Sequence, residues 1–336
     1  MHAQLSKQST IAQGIVHTGQ HFSYAMNDLF FNELRIPEPD INFNIQDASA
    51  NLFVARAADA MQQYFLAQKD TGILVYGDTN TTLAAAIAAR RTGTPLYHFE
   101  AGVRTGDLSM PEEINRVLTD RMANVNFCCT AKNAEQLYAE GYGSVIASTV
   151  VHTGDLMLDA FTQIAPKAVS FALPQQFVLC TIHRAANLQQ QESLQQIVDA
   201  LNRLHVHIPV MMPVHPHTQQ KMEAYGLKPQ FVCLPPIGYP QMKYLMQQCS
   251  YVITDSGGAS REAFFSQKPS LIIMDSPFWP EIIEAGCALQ SNANASVIIH
   301  RFEQLSQLSS DFNLPIFGDG NAAGKIAEML GRLVER

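Results

Sequence analysis

Three carboxylates stand just beyond short apolar runs, where titratable groups are well placed for chemistry. Asp78 follows the run Gly72 to Tyr76, in Gly77-Asp78-Thr79-Asn80. Glu100 follows Pro95 to Phe99 and precedes Ala101-Gly102-Val103-Arg104. Glu112 lies in Met110-Pro111-Glu112-Glu113-Ile114-Asn115-Arg116. Carboxylates crowded at one edge push their pKa values apart, which suits general acid and base work. Each also has a plainer reading when taken alone: Asp78 as a helix N-cap, Glu100 as a solvated strand end, Glu112 as a first-turn charge after Pro111.

Further along, Thr181-Ile182-His183-Arg184 ends another apolar run. The imidazole of His183 can move a proton, and the guanidinium of Arg184 can pair with an anion. A structural histidine is the plain alternative. His215 and His217 are close in sequence, but no acidic partner stands at ligand spacing, so no metal is expected. Tyr251 to Thr254 runs into Asp255-Ser256-Gly257-Gly258 and then a helical pattern carrying Glu262. Glycines at a helix start let an anion approach bare backbone N–H groups. Glu262, about one turn in, can accept hydrogen bonds from sugar hydroxyls. A tight strand-to-helix turn with an early glutamate is the alternative reading there.

The elements that would position these groups read as an α/β protein. Ile15 to Thr18, Gly72 to Tyr76, Pro95 to Phe99 and Val125 to Cys129 read as buried strands, with helices over Ala50 to Gln68 and Thr82 to Arg91. The rhythm repeats at Phe177 to Ile182, Val210 to Val214, Gln230 to Leu234, Tyr251 to Thr254 and Ser270 to Met274. Strands alternating with helices, without hairpin signals, imply parallel sheets. Two such series imply two Rossmann-like domains facing each other: 1–157, with a last helix over 320–336, and 158–319.

Bulk properties exclude several classes. The 336 residues are 47% hydrophobic, enough for a sizeable core, and a net charge of -8 argues against a nucleic-acid surface. No apolar run approaches the roughly 18 residues needed to span a bilayer, and residues 1–20 lack a signal-peptide pattern. The six cysteines form no CxxC pair and read as reduced, buried thiols of a cytoplasmic protein.

Taken together and in order, these segments resemble the non-hydrolysing UDP-N-acetylglucosamine 2-epimerases. The matching pieces are His17-Thr18-Gly19-Gln20-His21, Tyr76-Gly77-Asp78-Thr79, His98 to Arg104, Met110 to Arg116, Thr181 to Arg184, Pro213-Val214-His215, Thr254 to Gly258 with Glu262, and Phe317-Gly318-Asp319-Gly320. The resemblance implies the GT-B arrangement of two Rossmann-like domains across a cleft. The last helix would cross back onto the first domain, and the protein would be a homodimer needing no cofactor. It further implies a UDP-sugar substrate, with diphosphate on Ser256, Gly257 and Gly258, ribose on Glu262, and Arg116 and Arg184 as cationic contacts. Asp78, Glu100, Glu112 and His183 map onto the family's acid/base set. Loss of the C2 proton with departure of UDP would give a 2-acetamidoglucal, to which UDP adds back.

There are departures from the family pattern. The family's opening strand and Gly-x-Arg-Pro loop ending in lysine are not found, so the expectation is a first sheet without its first strand, a marginally stable or association-prone chain, and little or no epimerase activity. Ala186 stands where the family carries glutamate, and Met274 to Glu281 is about one residue short. No match is found to the glutamine-containing segment that some members use for allosteric binding. Three alternatives stay open: a UDP-2,3-diacetamido-2,3-dideoxy-glucuronate 2-epimerase, a GT-B glycosyltransferase, and an inactive UDP-binding remnant.

Overall fold

Burial of alternating strand runs and one-sided helices divides the chain into two compact units, Met1–Ala160 with Pro315–Arg336, and Phe161–Leu314. The structure, a computed structural model, describes residues 1–20, 36–46, 49–68 and 71–334. His21, the last residue of the first matching motif, lies outside them.

In the first unit, strands β1 (Val16–His17) and β2 (Ile41–Asn42) form a two-stranded parallel sheet. Strands β3 (Ile73–Tyr76), β4 (Leu96–Phe99), β5 (Val125–Cys128) and β6 (Thr149–His152) form a four-stranded sheet in that order, all parallel. Helix Ala50–Ala67 buries Phe53, Ala57, Met61 and Phe65, a four-residue repeat that makes one apolar stripe. That stripe packs with the alanine-rich helix Asn80–Thr92, whose small side chains permit close approach. Asp159 accepts hydrogen bonds from the N–H groups of Ala322 and Ala323, at 3.0 and 2.8 Å, and so caps helix Ala322–Val334.

The second unit holds a six-stranded parallel sheet of β7 (Val178–Thr181), β8 (Val210–Pro213), β9 (Val232–Leu234), β10 (Tyr251–Thr254), β11 (Ser270–Ile273) and β12 (Ala288–Ser291). The spatial order is β12-β11-β10-β7-β8-β9. In chain order this is the doubly wound pattern, with its switch point between β7 and β10, where such sheets bind ligands beyond the strand ends. Helix Gln191–His205 presents Leu194, Ile197, Val198, Leu201 and Leu204 to the core beneath.

The α/β class and the parallel sheets are as read from the sequence. Strands β2, β6 and β12 were not anticipated. The reading of all six cysteines as buried is corrected at one position: Cys233 is exposed, because β9 is the last strand of its sheet.

Candidate functional site

One cluster of candidate residues, in the first unit, lies at the carboxyl ends of β3 and β4. Gly77 takes a left-handed conformation, φ 60°, and its N–H donates to the Phe99 carbonyl at 3.0 Å. The turn after β3 is thereby pinned to the end of β4. Asp78 does not cap the next helix: Thr79 does, accepting from the Thr82 N–H at 3.3 Å. The Asp78 carboxylate instead meets the guanidinium of Arg116. Asn115 Nδ2 donates to the Asp78 carbonyl at 2.8 Å and to Asn80 Oδ1 at 3.1 Å, so helix Pro111–Met122 holds this turn from the other side. The first matching motif also converges here, because Gln20 Oε1 accepts from Thr81 N and Oγ1 at 3.0 and 2.9 Å.

Glu100 has φ 71°, a left-handed backbone uncommon for a residue with a side chain. Such strain persists where surrounding structure enforces it, often at functional sites. Gly102, φ 80°, follows: a Cβ there would stand 2.2 Å from the Asn133 carbonyl oxygen, so only glycine fits.

Glu112 is exposed in the first turn of its helix, while its neighbour Glu113 points inward. Glu113 accepts from the N–H groups of Thr105 and Gly106, at 3.0 and 2.9 Å, and pairs with Arg116. Burial works to raise the Glu113 pKa, but these donors outweigh it and hold the carboxyl below its usual range. Arg116 is buried between Asp78 and Glu113. Arg116, expected to contact UDP, has its charge engaged by these two carboxylates.

A second cluster, in the second unit, lies at the switch point. Asp255 is fully buried and accepts from the N–H groups of His183 and Arg184, at 3.1 and 2.9 Å, and from Asn187 Nδ2 at 3.0 Å. One carboxylate thus ties the loop after β7 to the loop after β10 and fixes His183, whose half-exposed ring has Nδ1 3.6 Å from Asp255 Oδ1. Ser256 caps helix Gly257–Phe265, accepting from the Ala259 N–H at 3.2 Å. Gly257 and Gly258 open that helix, and their N–H groups have no carbonyl one turn earlier within it.

Phe278 crowds Gly257 so closely that a Cβ there would lie 2.6 Å from its ring, and Trp279 Nε1 donates to the Gly257 carbonyl at 3.0 Å. Arg184 stacks over Phe278 at 4.7 Å, which steadies a cation beside the helix start. Glu262 is buried, and burial raises its pKa to about 7 against the opposing pull of Tyr239, Arg261 and Lys243. His215 is a helix cap, its Nδ1 accepting from the His217 N–H at 3.2 Å. Among the described residues no group of histidine, cysteine and acidic side chains is arranged to hold a metal ion.

Sequence reasoning overlooked Glu113, Asp120 and His98, and passed over Asp255 as a site residue. The missed signal is the spacing of Glu113, Arg116 and Asp120, which places charged residues on one helical face.

A parallel α/β chain with a glycine turn at a switch point, and a separate set of carboxylates at strand ends, has the groups to hold an anion and to move a proton. The family model described as "UDP-N-acetylglucosamine 2-epimerase" matches residues 3–331. The chain is 37% identical over 331 residues to the UDP-2,3-diacetamido-2,3-dideoxy-D-glucuronate 2-epimerase of Pseudomonas aeruginosa, covering 97% of this chain and 93% of that protein. It is 32% identical over 331 residues to a UDP-N-acetylglucosamine 2-epimerase of Methanococcus maripaludis, covering 93% and 89%. The crystal structure of the Methanocaldococcus jannaschii UDP-GlcNAc 2-epimerase in complex with UDP-GlcNAc and UDP superposes with a TM-score of 0.87 at 28% identity, covering 98% of this chain and 94% of that one. The chain belongs to the UDP-N-acetylglucosamine 2-epimerase family, a family of isomerases.

Proposed function

We propose that this protein epimerises a UDP-linked N-acetylated sugar at C2 by eliminating and re-adding UDP. The observation that carries the reading is the family match over residues 3–331, which takes in every segment of both clusters. The UDP part is assigned to the second unit: diphosphate on Ser256 and on the N–H groups of Gly257 and Gly258 with Arg184 alongside, and ribose hydroxyls on Glu262. Arg116 is assigned to fixing Asp78 rather than to the diphosphate.

The chemistry follows from the acidity of the substrate. The C2–H bond is weakly acidic, so its proton needs a positioned base, and inversion needs a group on each face. In the forward step a base takes the C2 proton, the C2 electrons form a C1–C2 double bond, and the C1–O bond breaks with its electron pair going to UDP. The reverse step returns UDP to C1 while an acid protonates C2 from the other face. Asp78, Glu100, Glu112 and His183 are the groups proposed to hold and move these protons. N–H donors at the start of helix Gly257–Phe265 stabilise the charge left on UDP. The working form is taken to be a cytoplasmic homodimer, which sedimentation and cell fractionation check.

The 37% identity to the Pseudomonas aeruginosa enzyme favours a diacetamido-glucuronate sugar as a second reading of the substrate. Purified protein given UDP-N-acetylglucosamine or UDP-2,3-diacetamido-2,3-dideoxy-glucuronate in separate reactions decides between them by NMR of the product. Conversion of one to its C2 epimer assigns the substrate. Conversion of neither, by a folded protein that binds UDP, contradicts the proposal.

A further inference from the structure

His98, on β4, and Asp120, in helix Pro111–Met122, are both fully buried. His98 Nδ1 lies 2.6 Å from Asp120 Oδ1, and His98 Nε2 lies 2.8 Å from the Gly77 carbonyl oxygen. The carbonyl only accepts, so Nε2 carries a proton. The other Asp120 oxygen accepts from the Gly102 N–H at 3.1 Å and from Arg104 at 2.7 Å. Arg104 in turn grips Glu140 through two hydrogen bonds of 2.9 Å. Burial tends to neutralise Asp120, but the His98 contact and the charge of Arg104 outweigh it and keep the carboxyl below its usual range. Nδ1 and Asp120 Oδ1 share the second hydrogen bond, so both ring nitrogens are engaged.

The partners of this pair are not scattered. Gly77 directly precedes Asp78, and His98 lies two residues before Glu100. Gly102 ends the loop in which Glu100 is held at φ 71°. Asp120 shares its helix with Glu112 and with Arg116, the partner of Asp78. One buried hydrogen-bonded pair therefore spans all three segments that carry the proposed acid/base carboxylates.

We propose that His98 and Asp120 are positioning residues for the C2 proton transfer, locking the Asp78 turn, the Glu100 loop and the Glu112 helix in one register. The inference rests on the epimerase reading. The pair touches no substrate; it acts by fixing where the carboxylates stand. A misplacement of about 1 Å at reacting groups costs roughly 100-fold in rate, which sets the expected scale.

The two ring contacts can be separated. An asparagine amide stands near Nδ1 and keeps the hydrogen bond to Asp120; a glutamine amide reaches the Nε2 position and keeps the hydrogen bond to Gly77. Steady-state kcat and KM, UDP affinity by calorimetry and solvent-deuterium uptake at C2 are measured for the parent, His98→Asn and His98→Gln. We expect kcat to fall about 100-fold in His98→Asn and about tenfold in His98→Gln, with KM and UDP affinity within about twofold of the parent. A folded His98→Asn protein with kcat within about threefold of the parent overturns the proposal, as does a loss of kcat matched by an equal loss of UDP affinity. Should His98→Asn fail to fold, His98→Gln decides alone: lower kcat at unchanged KM supports the role, and unchanged kcat overturns it. A folded parent that takes up no deuterium overturns the epimerase reading and this inference with it, whereas an active parent with equally active variants overturns only the inference.

Discussion

Glu113 and Glu262 are both buried glutamates, one in each compact unit, and their titrations move in opposite directions. Glu113 accepts two backbone N–H groups and the Arg116 guanidinium, and these hold it ionised despite burial. Glu262 has a phenol and two more weakly coupled cations, and burial wins, raising it to about 7. Burial alone does not set protonation; the number and directness of charged donors does. The same contrast runs through both regions. The first holds two charge networks, Asp78–Arg116–Glu113 and Asp120–Arg104–Glu140, with His98 bonded to Asp120; under the proposed function these fix the groups assigned to proton transfer. The second is ordered by one carboxylate, Asp255, and offers backbone N–H groups, which suit a phosphate.

The sharpest way to break this division of labour is to remove charge in the first region and read the second. Asp78→Asn and Glu112→Gln are expected to cut turnover by about 100-fold or more, the usual scale for losing a general acid or base, with UDP affinity retained. Near-normal turnover in both would return Asp78 to a structural partner of Arg116 and Glu112 to a first-turn charge. The reciprocal change is Gly257→Val. Its Cβ would collide with Phe278, 2.6 Å away, and block the helix start, so UDP affinity measured by calorimetry should fall by at least about tenfold while the protein stays folded. Unchanged affinity in a folded variant would place the diphosphate elsewhere.

Smaller again is the effect expected at Asp255. Asp255→Asn keeps the shape but removes an ionised acceptor for buried N–H groups, a loss of about 1–3 kcal/mol in urea unfolding. A midpoint equal to the parent's would show that the loops after β7 and β10 do not depend on that charge.

The subtlest effect concerns pH. Glu262 has a folded pKa raised from 4.5 to about 7, so it binds its proton more tightly folded than unfolded. Its contribution to stability is then fully present below about pH 4.5 and is lost as pH rises toward 7. Glu262→Gln should flatten the melting temperature across that window; an unaltered slope would contradict the burial account. Ribose hydroxyls donating to Glu262 would favour the ionised form, so UDP binding near pH 6 should release a proton, seen as a calorimetric enthalpy that varies with buffer.

Much of this was legible in the residues. Apolar runs located nine of the strands, and the polar residues following them supplied most of the candidate site. Strand β2 is two residues long, β6 is exposed at both ends and β12 reads Ala-Leu-Gln-Ser, so none carries an apolar run to detect. The buried charge network was illegible for a different reason. Helix Pro111–Met122 buries Glu113, Asn115, Arg116, Thr119 and Asp120 while Ile114 and Leu118 are exposed, the reverse of what hydrophobic periodicity expects. Buried charges are permitted there because each finds an opposite charge or a donor, and that pairing is a property of the folded chain. The same inversion explains why Glu112 drew attention while Glu113 did not: adjacent glutamates differ only in helical phase.

Proton exchange at C2 is the step that no transferase and no inert UDP-binding protein performs, so it tests the central claim most directly. The protein is incubated with UDP-N-acetylglucosamine, and separately with the diacetamido-glucuronate analogue, in deuterium oxide, and the sugar is followed by proton NMR. The account predicts that the C2 proton signal of one substrate disappears as its C2 epimer accumulates, with deuterium at C2 in both. An epimer formed without deuterium, or both substrates left fully protonated by a folded protein that binds UDP, would contradict it.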